Sequence, residues 1–184
     1  MSDVDSAETA VIVPIPAAEA IVGDHRRRLD PAATWGVPAH VTVLFPFVPP
    51  ADLDEDVLSR LALAIHSVST FNCAFARVEW FGDEVVWLAP EPDVPFRQLT
   101  QLVWNAFPNF PPYRGAHDDV VPHLTIGGAL PEAPAELQAA EVDVLPKLPF
   151  HAVVNRVLVM AGAREPGSWR TIREFSLADS RQAG

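Results

Sequence analysis

The tetrad His-x-Thr-apolar occurs twice, as His40-Val-Thr42-Val and as His123-Leu-Thr125-Ile, and each copy closely follows a proline, Pro38 or Pro122. In an extended strand alternate side chains share a face, so each copy presents an imidazole and a hydroxyl together and anchors Val41 or Leu124 behind them. Two such strands lying side by side would gather two imidazoles and two hydroxyls around one site. Phosphodiester cleavage asks for that set: a base for water, an acid for the leaving oxygen, and donors for the charge on the phosphoryl oxygens. Imidazole serves both proton roles because its ordinary pKa of about 6.5 lets one ring be neutral while its partner is protonated.

Chance accounts poorly for the repetition. With 7 threonines in 184 positions, a given histidine has about a 4% chance of Thr two places on, and two of the six histidines doing so has a probability of roughly 2%. The leading prolines, the apolar fourth residue and a separation of just under half the chain lower that further. A single His-x-Thr would read as structural. Trp35 ahead of the first tetrad, and Phe110 and Tyr113 ahead of the second, are candidates for stacking on a base, with loop packing as the competing reading. Arg114 could fork onto a phosphate or make a surface ion pair beside Asp118 and Asp119. The proline-rich stretch from Pro108 to Asp119 is a candidate lid. His25, His66 and His151 lack metal-ligand spacing, and His117 differs only in lying close to two acids, so neither a metal nor a cofactor is expected.

The elements that must hold these residues can be read from periodicity. A strand is expected over Thr9–Pro16, a helix over Ala17–Leu29, and the first motif strand over His40–Phe47. A helix capped by Asp52 or Asp54 runs to Ser67, with Val57, Leu58, Leu61, Ile65 and Val68 on one face. Strands Phe71–Phe81 and Val85–Ala89 form a hairpin through Gly82. A helix from about Pro95 to Phe107 precedes the second motif strand, Val121–Ile126, which should stop at Gly127-Gly128. A short helix near Ala133–Ala140 leads to a closing strand pair, Phe150–Met160 and Thr171–Leu177. The halves share an element order, as a duplicated, pseudo-twofold pair of lobes would. A single domain over 1–184 is expected, with flexible tails at 1–7 and 179–184.

Composition narrows the partners. The formal charge of −11 opposes long nucleic acid and disfavours a small anion less. The basic run His25-Arg26-Arg27-Arg28 reads as the solvated last turn of a helix. A lone cysteine, Cys73, reads as a small apolar strand residue in a reducing compartment. No basic leader or bilayer-length apolar stretch is seen, so a cytoplasmic monomer without membrane association is expected.

With these motifs the chain resembles the 2H phosphoesterase superfamily, which includes proteins labelled 2′-5′ RNA ligase and 2′,3′-cyclic phosphodiesterases, from the strand at Val11 to the one near Leu177. The resemblance implies a bilobal α+β fold, two antiparallel sheets lining a central cleft with helices outside. It implies His40 and His123 as the catalytic pair, the first as acid and the second as base, and Thr42 and Thr125 as phosphate ligands. The expected substrate is a 2′,3′-cyclic phosphate or a related nucleotide or RNA-end phosphodiester, hydrolysed without metal. The alternatives are 2′-5′ ligation, or nucleotide or RNA binding without turnover. Some RNA-handling members place a basic residue where this chain has Gly127-Gly128, which favours a small nucleotide or short RNA end.

Overall fold

The computed structural model describes residues 7–128 and 134–180, so most of both expected tails lies outside the described residues. In chain order the strands are β1 (Glu8–Pro14), β2 (His40–Leu44), β3 (Phe71–Phe81), β4 (Val85–Glu91), β5 (Leu124–Gly128), β6 (Phe150–Val154), β7 (Arg156–Gly162) and β8 (Arg170–Ser176). The helices are α1 (Glu19–Leu29), α2 (Pro31–Trp35), α3 (Glu55–His66), α4 (Val94–Ala106) and α5 (Pro134–Val144). The strands form two antiparallel four-stranded sheets, ordered β2-β1-β7-β8 and β5-β4-β3-β6. This is the expected α+β arrangement.

The motif strands do not lie within one sheet. β2 is an edge of the first sheet, β5 is an edge of the second, and the two edges abut. Each pairs with the strand that precedes it across a helix, in the units β1-α1-β2 and β4-α4-β5. The helices cross over: α1 packs on β5 and α4 packs on β2. At one crossing Leu29 meets Gly127, where a Cβ would lie 2.6 Å from the Leu29 Cβ. The strand runs through both glycines instead of stopping before them: α1 leaves no room for a side chain at Gly127, and Glu84 and Val85 leave none at Gly128. At the other crossing the Thr100 hydroxyl donates to the Val43 carbonyl at 2.8 Å.

Further boundaries differ from the sequence reading, and the first motif strand ends at Leu44 instead of Phe47. The expected strand Phe150–Met160 is divided at Asn155: β6 joins β3, while β7 inserts between β1 and β8. Apolar character runs through both pieces, and only the long-range partners separate them. The second motif strand begins at Leu124, just after Pro122, which has no N–H to give a ladder. Helix α2 is absent from the periodicity reading, although Pro31 starts it, the Asp30 carboxylate accepts from the Ala32 N–H at 3.1 Å, and Gly36 ends it with φ 105°.

One apolar core joins both sheets to the main helices. Val41, Val43, Leu124 and Ile126 are all buried in it, each worth about 1.5–3 kcal/mol. Cys73 lies in the same core, where burial pushes its thiol up to about 11. Asp54 caps α3 by accepting from the Val57 N–H at 2.9 Å, and Leu58, Leu61 and Ile65 face inward as the spacing predicts. Among the described residues no helix is long and apolar enough to cross a membrane.

Candidate active site

Alternation places the motif side chains as the strand geometry requires. Val41 and Leu124 are buried, whereas His40, Thr42, His123 and Thr125 are half-buried on the opposite faces. Both histidines are held alike. With the tautomer that these contacts require, Nδ1–H of His40 donates to the Pro38 carbonyl at 2.7 Å, and Nδ1–H of His123 donates to the Val121 carbonyl at 2.8 Å. Each bond spans two residues back along the chain and leaves Nε2 as the unspent nitrogen.

The surroundings of the rings differ. Burial first, then the Arg26 guanidinium, with a smaller effect from His123, lowers the His40 pKa to about 3; the bond to Pro38 opposes this. His123 is also held below its ordinary value by burial, against the pull of its bond to Val121. Its ring sits edge-on to Phe81 and Trp87, at 5.0 and 5.8 Å between centroids, and those two rings stack on each other at 4.6 Å. A small part of the lowering at His40 comes from His123, and the two strands that carry the rings meet edge to edge.

Arg26 corrects the reading of the basic run as a solvated turn. It is only 2% exposed, donates to the Asp30 carboxylate at 2.9 and 3.0 Å, and reaches the Val37 carbonyl at 3.2 Å. His25 is also buried and contacts Asp143 at 2.7 Å. Arg27 and Arg28 remain on the exposed side. Nearby, the Glu19 carboxylate accepts from the Ala39 N–H at 2.7 Å and fixes the approach to the first tetrad. An inward arginine could be suspected from the 3.6-residue period, but its target, the Val37 carbonyl, is set by the tertiary fold.

A cleft of about 700 Å³ lies against the second motif, with His123, Thr125, Phe81, Phe45, Tyr113 and Asp30 in its wall. Burial raises the pKa of the Tyr113 phenol, and Thr42 of the first motif partly offsets that rise. The other loop candidates are placed elsewhere. Phe110 packs against Phe47 at 6.3 Å, and with Arg114 it lines a separate depression. Arg114 pairs with Glu8 at 2.9 Å, not with Asp118 or Asp119; Asp119 is engaged by Arg97 at 2.8 Å. Trp35 packs against a small apolar cluster that includes Ile12, Met160 and Trp169, which agrees with its packing reading. The loop considered as a lid is tied at Tyr113, where the N–H donates to the Phe45 carbonyl at 2.6 Å, and at Arg114 and Asp119. Among the described residues no three His, Cys, Asp or Glu side chains converge on a metal-sized site.

The sequence pattern of the 2′-5′ RNA ligase superfamily matches residues 13–165, which includes both tetrads. The chain belongs to this superfamily. A search of the curated proteins found no match. Among solved structures, apo Escherichia coli LigT is similar over 95% of this chain and 99% of its own, at 18% identity and a TM-score of 0.59. A Thermus thermophilus protein is similar over 95% and 100%, at 16% identity and a TM-score of 0.64. A structure described as a phosphoesterase covers 94% and 99%, at 16% identity and a TM-score of 0.57. Superfamily membership and the two-sheet fold are thus those expected from the paired tetrads, within a group of phosphoesterases and ligases.

Proposed function

We propose that the chain hydrolyses a 2′,3′-cyclic phosphate, or a related nucleotide or RNA-end phosphodiester, by two-histidine acid–base catalysis without a metal. The observation that carries this reading is the matched anchoring of His40 and His123, each with Nδ1 bound to a carbonyl and Nε2 left for a proton transfer. Thr42 and Thr125 then offer neutral donors to the non-bridging oxygens.

Burial of His40 beside the Arg26 guanidinium favours the roles in the opposite sense from that implied by resemblance. The cation of Arg26 disfavours a second positive charge at His40, so His40 stays neutral and takes the proton from water. His123 carries the proton to the leaving oxygen. A bound phosphodiester anion between the rings raises both proton affinities toward the working range. Among the described residues no lysine or arginine lines the cleft beside His123. The cleft therefore suits the single negative charge of a cyclic phosphodiester better than a polyanion. Escherichia coli LigT has been solved with 3′-AMP, with ATP and with NADP+, which supports a nucleotide-sized ligand here.

The test is turnover of 2′,3′-cyclic nucleotides in EDTA by the native chain, His40→Ala and His123→Ala. Each substitution is expected to lower the chemical rate by at least about a hundredfold with little effect on folding. Undiminished activity in the double variant, or its abolition by EDTA in the native chain, would sink the mechanism.

A further inference from the structure

Phe81 ends β3 and lines the cleft that holds His123 and Thr125. It is 37% exposed, and of the large apolar side chains left exposed among the described residues it is the one that lines this cleft. Two neighbours fix its ring. It stacks on Trp87 at 4.6 Å between centroids with 24° between planes, and it meets the His123 imidazole edge-on at 5.0 Å. Trp87 is buried, and its Nε1–H has no hydrogen-bond partner among the described residues. A phenylalanine there would avoid that cost, so what the indole offers is a broad face against Phe81.

With one face on Trp87, the Phe81 ring has its other face for a planar partner. Every nucleobase presents such a face, and stacking asks for no particular hydrogen-bond pattern. Pro31, Phe45 and Val85 add apolar surface to the same cleft, which suits a base better than a phosphate. The direction of the reaction says which end of the substrate lies here. In hydrolysis of a cyclic phosphate, water adds to phosphorus and gives a proton to His40. The bond from phosphorus to one ribose oxygen breaks, and that oxygen takes the proton from His123. The leaving oxygen belongs to the nucleoside itself, so ribose and base lie on the side of His123 and Phe81, opposite the entering water.

We infer that Phe81, backed by Trp87, is the platform on which the substrate's nucleobase stacks, beside the histidine that protonates its ribose oxygen. This rests on the two-histidine reading and its assignment of roles. Trp35 and Phe110, whose places in the chain suggested stacking, pack elsewhere. Phe81 comes near His123 only through the pairing of β3 with β4 and of β4 with β5.

Phe81→Leu keeps an apolar side chain and removes the aromatic face. On 2′,3′-cyclic AMP it is expected to lower kcat/KM about tenfold, mostly through KM, because a stacked base is bound alike in the ground and transition states. On glycerol 1,2-cyclic phosphate, which carries the ring phosphate without a base, the loss should be several-fold smaller. Phe81→Tyr keeps the face and should retain the native preference for the nucleotide. Both substrates are turned over by the same protein, so the ratio of the two losses is insensitive to any loss of folded chain. Equal losses on both would overturn the platform, since the ring would then act through His123 alone. So would an unchanged kcat/KM on both; if His40→Ala and His123→Ala are inactive in that case, the two-histidine reading stands. Should the native chain turn over neither substrate, titration calorimetry with adenosine 3′-monophosphate decides. Weaker binding by Phe81→Leu keeps the platform without hydrolysis, and equal binding removes both.

Discussion

Behind His40 lies a buried guanidinium; beside His123 lie two aromatic rings. The backbone treats both imidazoles alike, with one hydrogen bond from Nδ1 to the carbonyl two residues back. Only the neighbours differ, and they come from α1 on one side and from β3 and β4 on the other. A repeated motif can therefore supply two chemically equal groups while elements outside it decide which one holds a proton. Burial first, and then Arg26, a residue in neither tetrad, holds down the proton affinity of His40.

The comparison is broken most forcefully by removing that cation. Arg26→Met keeps most of the stem but leaves the Asp30 carboxylate unpaired, which should cost about 3–5 kcal/mol in urea unfolding. Arg26→Met with Asp30→Asn removes the stranded charge, and the acid limb of its kcat–pH profile should move to higher pH as His40 regains proton affinity. A limb that stays in place would show that Arg26 does not set the asymmetry.

The next effect is on acid stability. The unfolded chain protonates His40 near 6.5, whereas the folded chain does so only at about 3. Stability associated with the neutral ring is thus complete above that upper value and is lost as pH falls toward the lower one. Urea midpoints measured across this window should fall less steeply in His40→Asn than in the native chain.

Two smaller substitutions compare the helix crossings. Gly127→Ala forces a methyl group against Leu29 and should cost about 1–3 kcal/mol. Thr100→Val deletes the bond to the Val43 carbonyl and should cost about 1 kcal/mol, read from the same unfolding curves. Equal losses at the two crossings would contradict the close approach at Gly127.

Local pattern made the candidate site more legible than the assembly. His40, Thr42, His123 and Thr125 announce themselves because strand alternation and their apolar neighbours act within four residues. The inward faces of α3 and α4 are legible for the same reason, from Leu58, Leu61 and Ile65 and from Phe96, Leu99 and Val103. The break at Asn155 was hidden because Phe150–Met160 is apolar enough to read as one strand, and sheet partners lie far away in sequence. Arg26 resembles Arg27 and Arg28 until the chain folds and puts the Val37 carbonyl within its reach. Tyr113 sits in an aperiodic loop, where neither helical nor strand spacing predicts direction.

The crossed helices make the cleft a locked joint. Because α1 belongs to the unit of one motif strand and braces the other, while α4 does the reverse, sliding either sheet edge would drag the support from beneath its opposite. The gap between the imidazoles is set as the width of a mortise is set, by two pieces that each hold the other in place.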